Sequence, residues 1–196
     1  MLVYFSTTER MPTPTAVRTF ARPAEILREA GIRAGWRVVD FGCGQGHYLV
    51  PAARFVGSTG RVVGIDILTS AVDTTKKRVE EAGMSGYTDV LRADLARPLA
   101  SGLPDDWADL VLLSGILGQS DPVAVLKEAA RVVKPSGGVV LVVEWDQIAT
   151  PVGPLPDQRI ERDAVLAAGK HAGLTLLTTF APSPYQYGLR FVKAPA

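Results

Sequence analysis

Three glycines at alternate positions, Gly42, Gly44 and Gly46, follow an aspartate, Asp40, in the run Val38-Val39-Asp40-Phe41-Gly42-Cys43-Gly44-Gln45-Gly46-His47-Tyr48. Glycine accepts positive φ and lets a ligand approach the backbone closely. Such a run suits a tight turn that delivers a ligand to the start of the next helix. A second acid, Asp66, closes another apolar run downstream. An acid about 20 residues beyond a glycine turn is the usual acceptor for ribose hydroxyls. The chemistry open to this pair is the binding of a nucleoside-bearing cofactor. Dinucleotide sites use G-x-G-x-x-G. Counted from Gly42 the third glycine would fall at His47, and counted from Gly44 at Leu49. The spacing is therefore G-x-G-x-G. The carboxylate of Asp40 just before it would oppose a pyrophosphate and suit a cation.

Other residues could serve at the same edge of a sheet. Glu144 and Asp146 flank Trp145 at the end of the apolar run 139–145, and Tyr185 and Tyr187 open the last run. In open α/β sheets ligands gather beyond the carboxyl ends of the strands, so these side chains are candidates to face a second substrate. His47, at the start of a helix, is a candidate base. Cys43 is the only cysteine, and with two histidines in the chain no metal site is expected.

The elements that must position these residues follow from periodicity. Pro23 and Gly31 bracket a short helix. Strands are predicted at 37–41, 61–66, 88–92, 107–114 and 139–145, the last apolar at nearly every position, as a strand covered on both faces should be. Helices are predicted over 47–56, 69–82, 121–133 and 159–172. Two closing strands, 174–180 and 187–193, are joined by 181–184, which is too short for a helical crossover. This alternation predicts an α/β, Rossmann-like fold: a seven-stranded, mostly parallel sheet with helices on both faces and an antiparallel last strand. Lys76-Lys77-Arg78 reads as a solvated helix face, and 148–156 as a loop.

The chain of 196 residues, 47% hydrophobic and 21% charged, is long enough for one globular domain. A formal net charge of +1 gives no bulk-charge signature of a nucleic-acid binder. No apolar stretch approaches the ~20 residues of a membrane span, and the first residues lack the pattern of a signal peptide. The expectation is a cytoplasmic protein of one domain, 1–196. Within it, 1–35 form an arm and helix over the site, and 36–196 form the binding core.

The glycine segment resembles the first motif of class I S-adenosylmethionine-dependent methyltransferases, an acid followed by G-x-G-x-G. Gly60-Arg-Val-Val-Gly-Ile-Asp66-Ile67 resembles that family's second strand, and Arg92-Ala-Asp94-Leu95 the element after its third. Residues 109–114 resemble its fourth strand. Ala130-Arg-Val-Val-Lys-Pro-Ser-Gly-Gly138 is similar to its R-x-L-K-P-G-G turn, with one serine inserted. The nearest group is the small set related to the ubiquinone and menaquinone biosynthesis C-methyltransferases. The resemblance implies S-adenosyl-L-methionine as cofactor. It implies that Asp40 and the turn (Gly42, Cys43, Gly44, Gly46) hold the methionine end, Asp66 the ribose, Ile67 with Asp94 and Leu95 the adenine, and that Ser114 floors the methionine moiety. The segment Ser114-Gly-Ile-Leu117 lacks the N/D-P-P-Y pattern of amino-methylating enzymes, and the chain has no asparagine for a catechol-type metal site. A small-molecule acceptor remains, or a protein or RNA acceptor docked on the surface; the small molecule is the expectation, with Trp145, Tyr185 and Tyr187 as pocket walls. None of the four weak catalytic candidates, His47, Glu144, Asp146 and Tyr185, identifies itself as a base. The rival readings are a cofactor-binding sensor or partner subunit without activity, and a nicotinamide-dependent oxidoreductase. Nothing in the sequence sets the oligomeric state.

Overall fold

The structure, a computed structural model, describes residues 22–150 and 153–194. Of the arm and helix expected over 1–35, residues 1–21 lie outside the described residues. Seven strands, β1 (Arg37–Phe41), β2 (Arg61–Asp66), β3 (Thr88–Arg92), β4 (Leu110–Ser114), β5 (Val139–Trp145), β6 (Leu174–Ser183) and β7 (Gln186–Lys193), form one sheet in the order β3-β2-β1-β4-β5-β7-β6. The pairs among β1–β5 are parallel. Strand β7 is antiparallel to both β5 and β6, so it is the one reversed strand, as expected.

Alternate residues feed two core layers, the period-2 consequence of strand geometry. Val38, Val62, Leu112 and Leu141 face α1 (Pro23–Glu29), α2 (Leu49–Val56) and α3 (Thr69–Glu81). Val39, Phe41, Ile65 and Val142 face α4 (Pro122–Val132) and α5 (Arg162–His171). The helices thus cover both faces. Pro23 sits in the first turn of α1, and Asp121 caps α4 by accepting the N–H groups of Val123 and Ala124.

Four boundaries differ from the periodicity reading by two residues or more. Helix α2 starts at Leu49 rather than 47, because the positive-φ glycines carry the turn through 48. Strand β4 starts at Leu110; the carboxylate of Asp109 is taken up by the Arg37 N–H at 2.8 Å and Lys134 Nζ at 2.5 Å. Helix α5 starts at Arg162, because Arg159 is engaged elsewhere. Strand β6 continues to Ser183, which leaves only 184 and 185 for the turn into β7.

Candidate functional site

Strands β1 and β2 run side by side to their carboxyl ends, with Asp40 opposite Gly64 and Phe41 opposite Ile65. The chain leaves β1 through Gly42 (φ +72°), Gly44 (φ +50°) and Gly46 (φ +79°). A Cβ on Gly42 would lie 2.7 Å from Ile116 Cδ1, and one on Gly46 3.0 Å from Thr75 Cγ2. On Gly44 a Cβ would meet nothing nearer than 4.0 Å, so this backbone borders open space.

The turn is tied down from several sides. Gly42 and Cys43 donate to Ile65 O at 2.8 and 3.1 Å, and Gly46 to Cys43 O at 2.8 Å. Thr75 Oγ1 donates to Gly44 O at 2.7 Å, and Arg78 to Gln45 O at 2.7 Å. Arg78 is therefore a strut of the turn, whereas the sequence pattern placed it on a solvated face.

Asp40 sits at the end of β1, 2% exposed, and its Oδ2 has no partner among the described residues. Burial, and then the charge of Asp66, push its carboxyl up to about 8, against the Leu49 N–H, which favours the anion. A buried carboxyl oxygen without a partner is costly. A cation placed at the turn would relieve that cost.

Asp66, at the end of β2, accepts the N–H of Gly44 at Oδ2 and of Leu68 at Oδ1, both at 2.9 Å. A carboxylate offers about four lone-pair sites, so it keeps capacity for ligand hydroxyls. Directly after it, Ile67 and Leu68 are 52% and 61% exposed. Two large apolar side chains left in solvent beside a polar turn form a surface for a flat ring.

Asp94 lies beyond β3, where its carboxylate accepts the Ala96 N–H at 3.1 Å and pairs with Arg97 at 3.3 Å. The side chain of Leu95 is buried in the core. Ser114 ends β4, half-buried. Cys43 is buried; desolvation first, then Asp40 and Asp66, raise its thiol well above the usual range, which disfavours the reactive thiolate. Tyr48 was not singled out by sequence reasoning. It is buried at the N-cap of α2, its phenol raised by burial, with the Ser114 side chain working the other way and Asp40 close by. An aromatic at a helix start carries no sequence signal.

The weak catalytic candidates scatter. His47 is exposed on a hollow of about 400 Å³ between α2 and α3, with Arg54 and Arg78. Glu144 turns inward, 2% exposed, and accepts the Leu117 N–H at 2.8 Å. Burial pushes its carboxyl up to about 7 against the N–H groups of Leu117, Ile116 and Trp145. Asp146 is half-exposed, with Arg162 3.9 Å away. Tyr185 lies in the β6–β7 turn, where its carbonyl accepts the Asp146 N–H. Tyr187 is 1% exposed and its hydroxyl donates to Ile160 O at 2.9 Å, so its ring belongs to the core. Among the described residues no group of three or more His, Cys, Asp or Glu could hold a metal ion, and no helix is long and apolar enough to cross a membrane.

The family model of a methyltransferase domain matches residues 32–169, well over half of the chain. The chain belongs to this methyltransferase family. It is 33% identical over 132 residues to the ubiquinone/menaquinone biosynthesis C-methyltransferase of Laribacter hongkongensis, covering 67% of this chain and 52% of that one. To the demethylmenaquinone methyltransferase of Staphylococcus saprophyticus it is 29% identical over 130 residues, covering 65% of this chain and 52% of that one. The chain spans about half the length of the curated relatives it matches. Its fold is that of a SAM dependent methyltransferase from Aquifex aeolicus, with a TM-score of 0.79, 26% identity, and coverage of 88% and 89% of the two chains. In this methyltransferase domain the β1 turn, Asp66, Asp94 and Ser114 all lie at the carboxyl edge of the sheet.

Proposed function

We propose that this chain is an S-adenosylmethionine-dependent methyltransferase acting on a small-molecule acceptor. The observation that carries the reading is the buried Oδ2 of Asp40, without a partner among the described residues, at the start of the turn whose Gly44 backbone borders open space, a place suited to a positively charged ligand. When bound, S-adenosylmethionine supplies an electrophilic methyl on a sulfonium whose departure leaves a neutral thioether. Asp40 would hold the cofactor's ammonium, with Gly42, Cys43, Gly44 and Gly46 giving it room against the backbone. Asp66 would accept the ribose hydroxyls through its remaining lone pairs. Ile67 would pack on the adenine, with Asp94 and the Leu95 backbone at its edge. Ser114 and Gly115 would floor the methionine chain.

Methyl transfer of this kind needs alignment and exclusion of water more than proton transfer, and alignment alone is worth on the order of 7–11 kcal/mol. That demand matches a site whose acids are committed to binding. Glu144 is spent on the Leu117 N–H, and His47 faces the hollow between α2 and α3. The residues of this chain bind and orient; the acceptor's own reactivity does the rest. We place the acceptor among small molecules because the curated relatives are a ubiquinone/menaquinone biosynthesis C-methyltransferase and a demethylmenaquinone methyltransferase. The compartment would be the cytoplasm.

Calorimetry with S-adenosylmethionine, S-adenosylhomocysteine and NAD tests the cofactor. Binding of NAD alone would overturn the reading in favour of an oxidoreductase. Incubation with methyl-labelled cofactor and a small-molecule extract tests the activity. Cofactor binding with no labelled product in any extract would make the chain a binding module rather than an enzyme.

A further inference from the structure

One side chain shapes the stretch between β5 and α5. Arg159, 9% exposed, donates from Nε and Nη2 to Pro154 O at 2.9 and 2.7 Å. From Nη1 it donates to Asp146 O at 2.7 Å and Ile148 O at 2.6 Å, and from Nη2 to Thr150 Oγ1 at 3.0 Å. These use all five N–H bonds of a guanidinium. Its own carbonyl accepts from Gln147 Nε2 at 2.9 Å. Among the described residues no carboxylate pairs with it. A desolvated charge without a counter-ion is costly. Carbonyl dipoles and the face of Trp145, 5.6 Å from Cζ to the ring centroid, take the counter-ion's place. Packing alone would be served as well by an apolar side chain, so the fork of donors is what this position uses.

The clamp also fixes the position of Trp145. A Cβ on Gly153 would lie 2.8 Å from Cη2 of its ring, so that glycine lies against the indole. The Nε1 edge lies 4.0 Å from the place a Cβ would take on Gly115, the residue after Ser114. On the other flank, a Cβ on Gly118 would lie 2.4 Å from Gln158 O, next to Arg159. The clamp thus bears on both ends of 115–118. Ile116 in the same stretch fills the space beside Gly42. In the sheet order, Asp40, Asp66 and Asp94 belong to the β1-β2-β3 half, and the clamp belongs to β5 across β4.

We propose that Arg159 is a positioning residue: it holds Trp145 and residues 146–150 as the acceptor-side wall beside Gly115. The role of that wall rests on the methyltransferase reading, but the existence of the wall does not. In a parent carrying Trp36→Phe and Trp107→Phe, emission reports Trp145 alone. Binding of S-adenosylhomocysteine shifts that emission, and Arg159→Ala and Arg159→Lys abolish the shift. The emission is compared at saturating S-adenosylhomocysteine, since loosening 115–118 beside Gly42 also lowers the affinity for it. Amide exchange over 146–150 accelerates about tenfold while the strands keep their protection. Millimolar guanidinium ion restores both signals in Arg159→Ala. Gly153→Ala, which presses on the indole from its own side, disturbs the same signals and carries the test where Arg159→Ala does not fold. Unchanged emission and exchange in Arg159→Ala would overturn the proposal. So would exchange that rises evenly through all strands, or a parent that binds S-adenosylhomocysteine with no response from Trp145. A parent that fails to bind it at all overturns the cofactor reading instead, leaving the exchange and guanidinium results to judge the clamp.

Discussion

The backbone N–H of Gly44 donates to Oδ2 of Asp66 across 2.9 Å, so the acid expected to hold a ribose also holds the turn. Its Oδ1 does the same for Leu68. Asp66→Ala therefore removes two charge-assisted bonds from the apo protein as well as a ligand contact. Hydrogen bonds to a charged group are worth about 1.5–3 kcal/mol each at most. The expected outcome is a lower melting temperature together with weaker S-adenosylhomocysteine binding by calorimetry. Loss of stability with unchanged affinity would make Asp66 purely structural.

Gly42 shows the same double use. Its φ of +72° costs an alanine roughly 1–2 kcal/mol, and the new Cβ would stand 2.7 Å from Ile116 Cδ1. Gly42→Ala should be destabilised in denaturant melts by more than the backbone term alone. Gly42→Ala with Ile116→Ala should recover the steric part but not the φ part. A Gly42→Ala protein as stable as the parent would mean that the turn is looser than this geometry.

The raised carboxyl of Asp40 makes a pH prediction. Folded, it titrates at about 8; unfolded, near the usual ~3.9. Between those values the folded chain keeps a proton that the unfolded chain has lost, so stability falls as pH rises from about 4 to about 8 and levels beyond. Asp40→Asn should flatten that part of the profile. A cationic ligand favours the anion, so its binding should release protons near pH 7, measurable as a buffer-dependent enthalpy. A buffer-independent enthalpy with the parent would remove the cation from Asp40.

The glycine turn was legible because its requirements are written in residue types: positive φ at alternate positions and an acid before them. The strand alternation was legible for a similar reason, since β5 is apolar on both faces. The insertion of β7 between β5 and β6 was not, because periodicity carries no partner information. Arg159 was read as the first residue of a helix, as its composition allowed. Its real partners are backbone carbonyls, which every sequence has and none advertises. Glu144 and Tyr187 stood at the correct sheet edge in the sequence. Each side chain, however, points along its strand's alternation into the core, to Leu117 and Ile160.

Glu144 links the two halves of the edge. Its Oε1 accepts the Leu117 N–H at 2.8 Å, one residue from Ile116, which packs on Gly42. Its carboxyl, raised by burial to about 7, also gives up stability as pH climbs from about 4 to about 7. Glu144→Gln keeps an acceptor oxygen for Leu117 and cannot titrate. It should hold the melting temperature near neutral pH and remove the part of the pH slope that Asp40→Asn leaves. Glu144→Leu strands the buried N–H of Leu117, at a cost of about 1–3 kcal/mol. Because 115–117 then loosens beside Gly42, Glu144→Leu should also weaken S-adenosylhomocysteine binding, whereas Glu144→Gln should not. Thermal melts from pH 4 to 9 and calorimetry on the two variants decide it. If both variants bind alike and melt alike, Glu144 is not a clamp on this loop and the coupling between Leu117 and the glycine turn is absent.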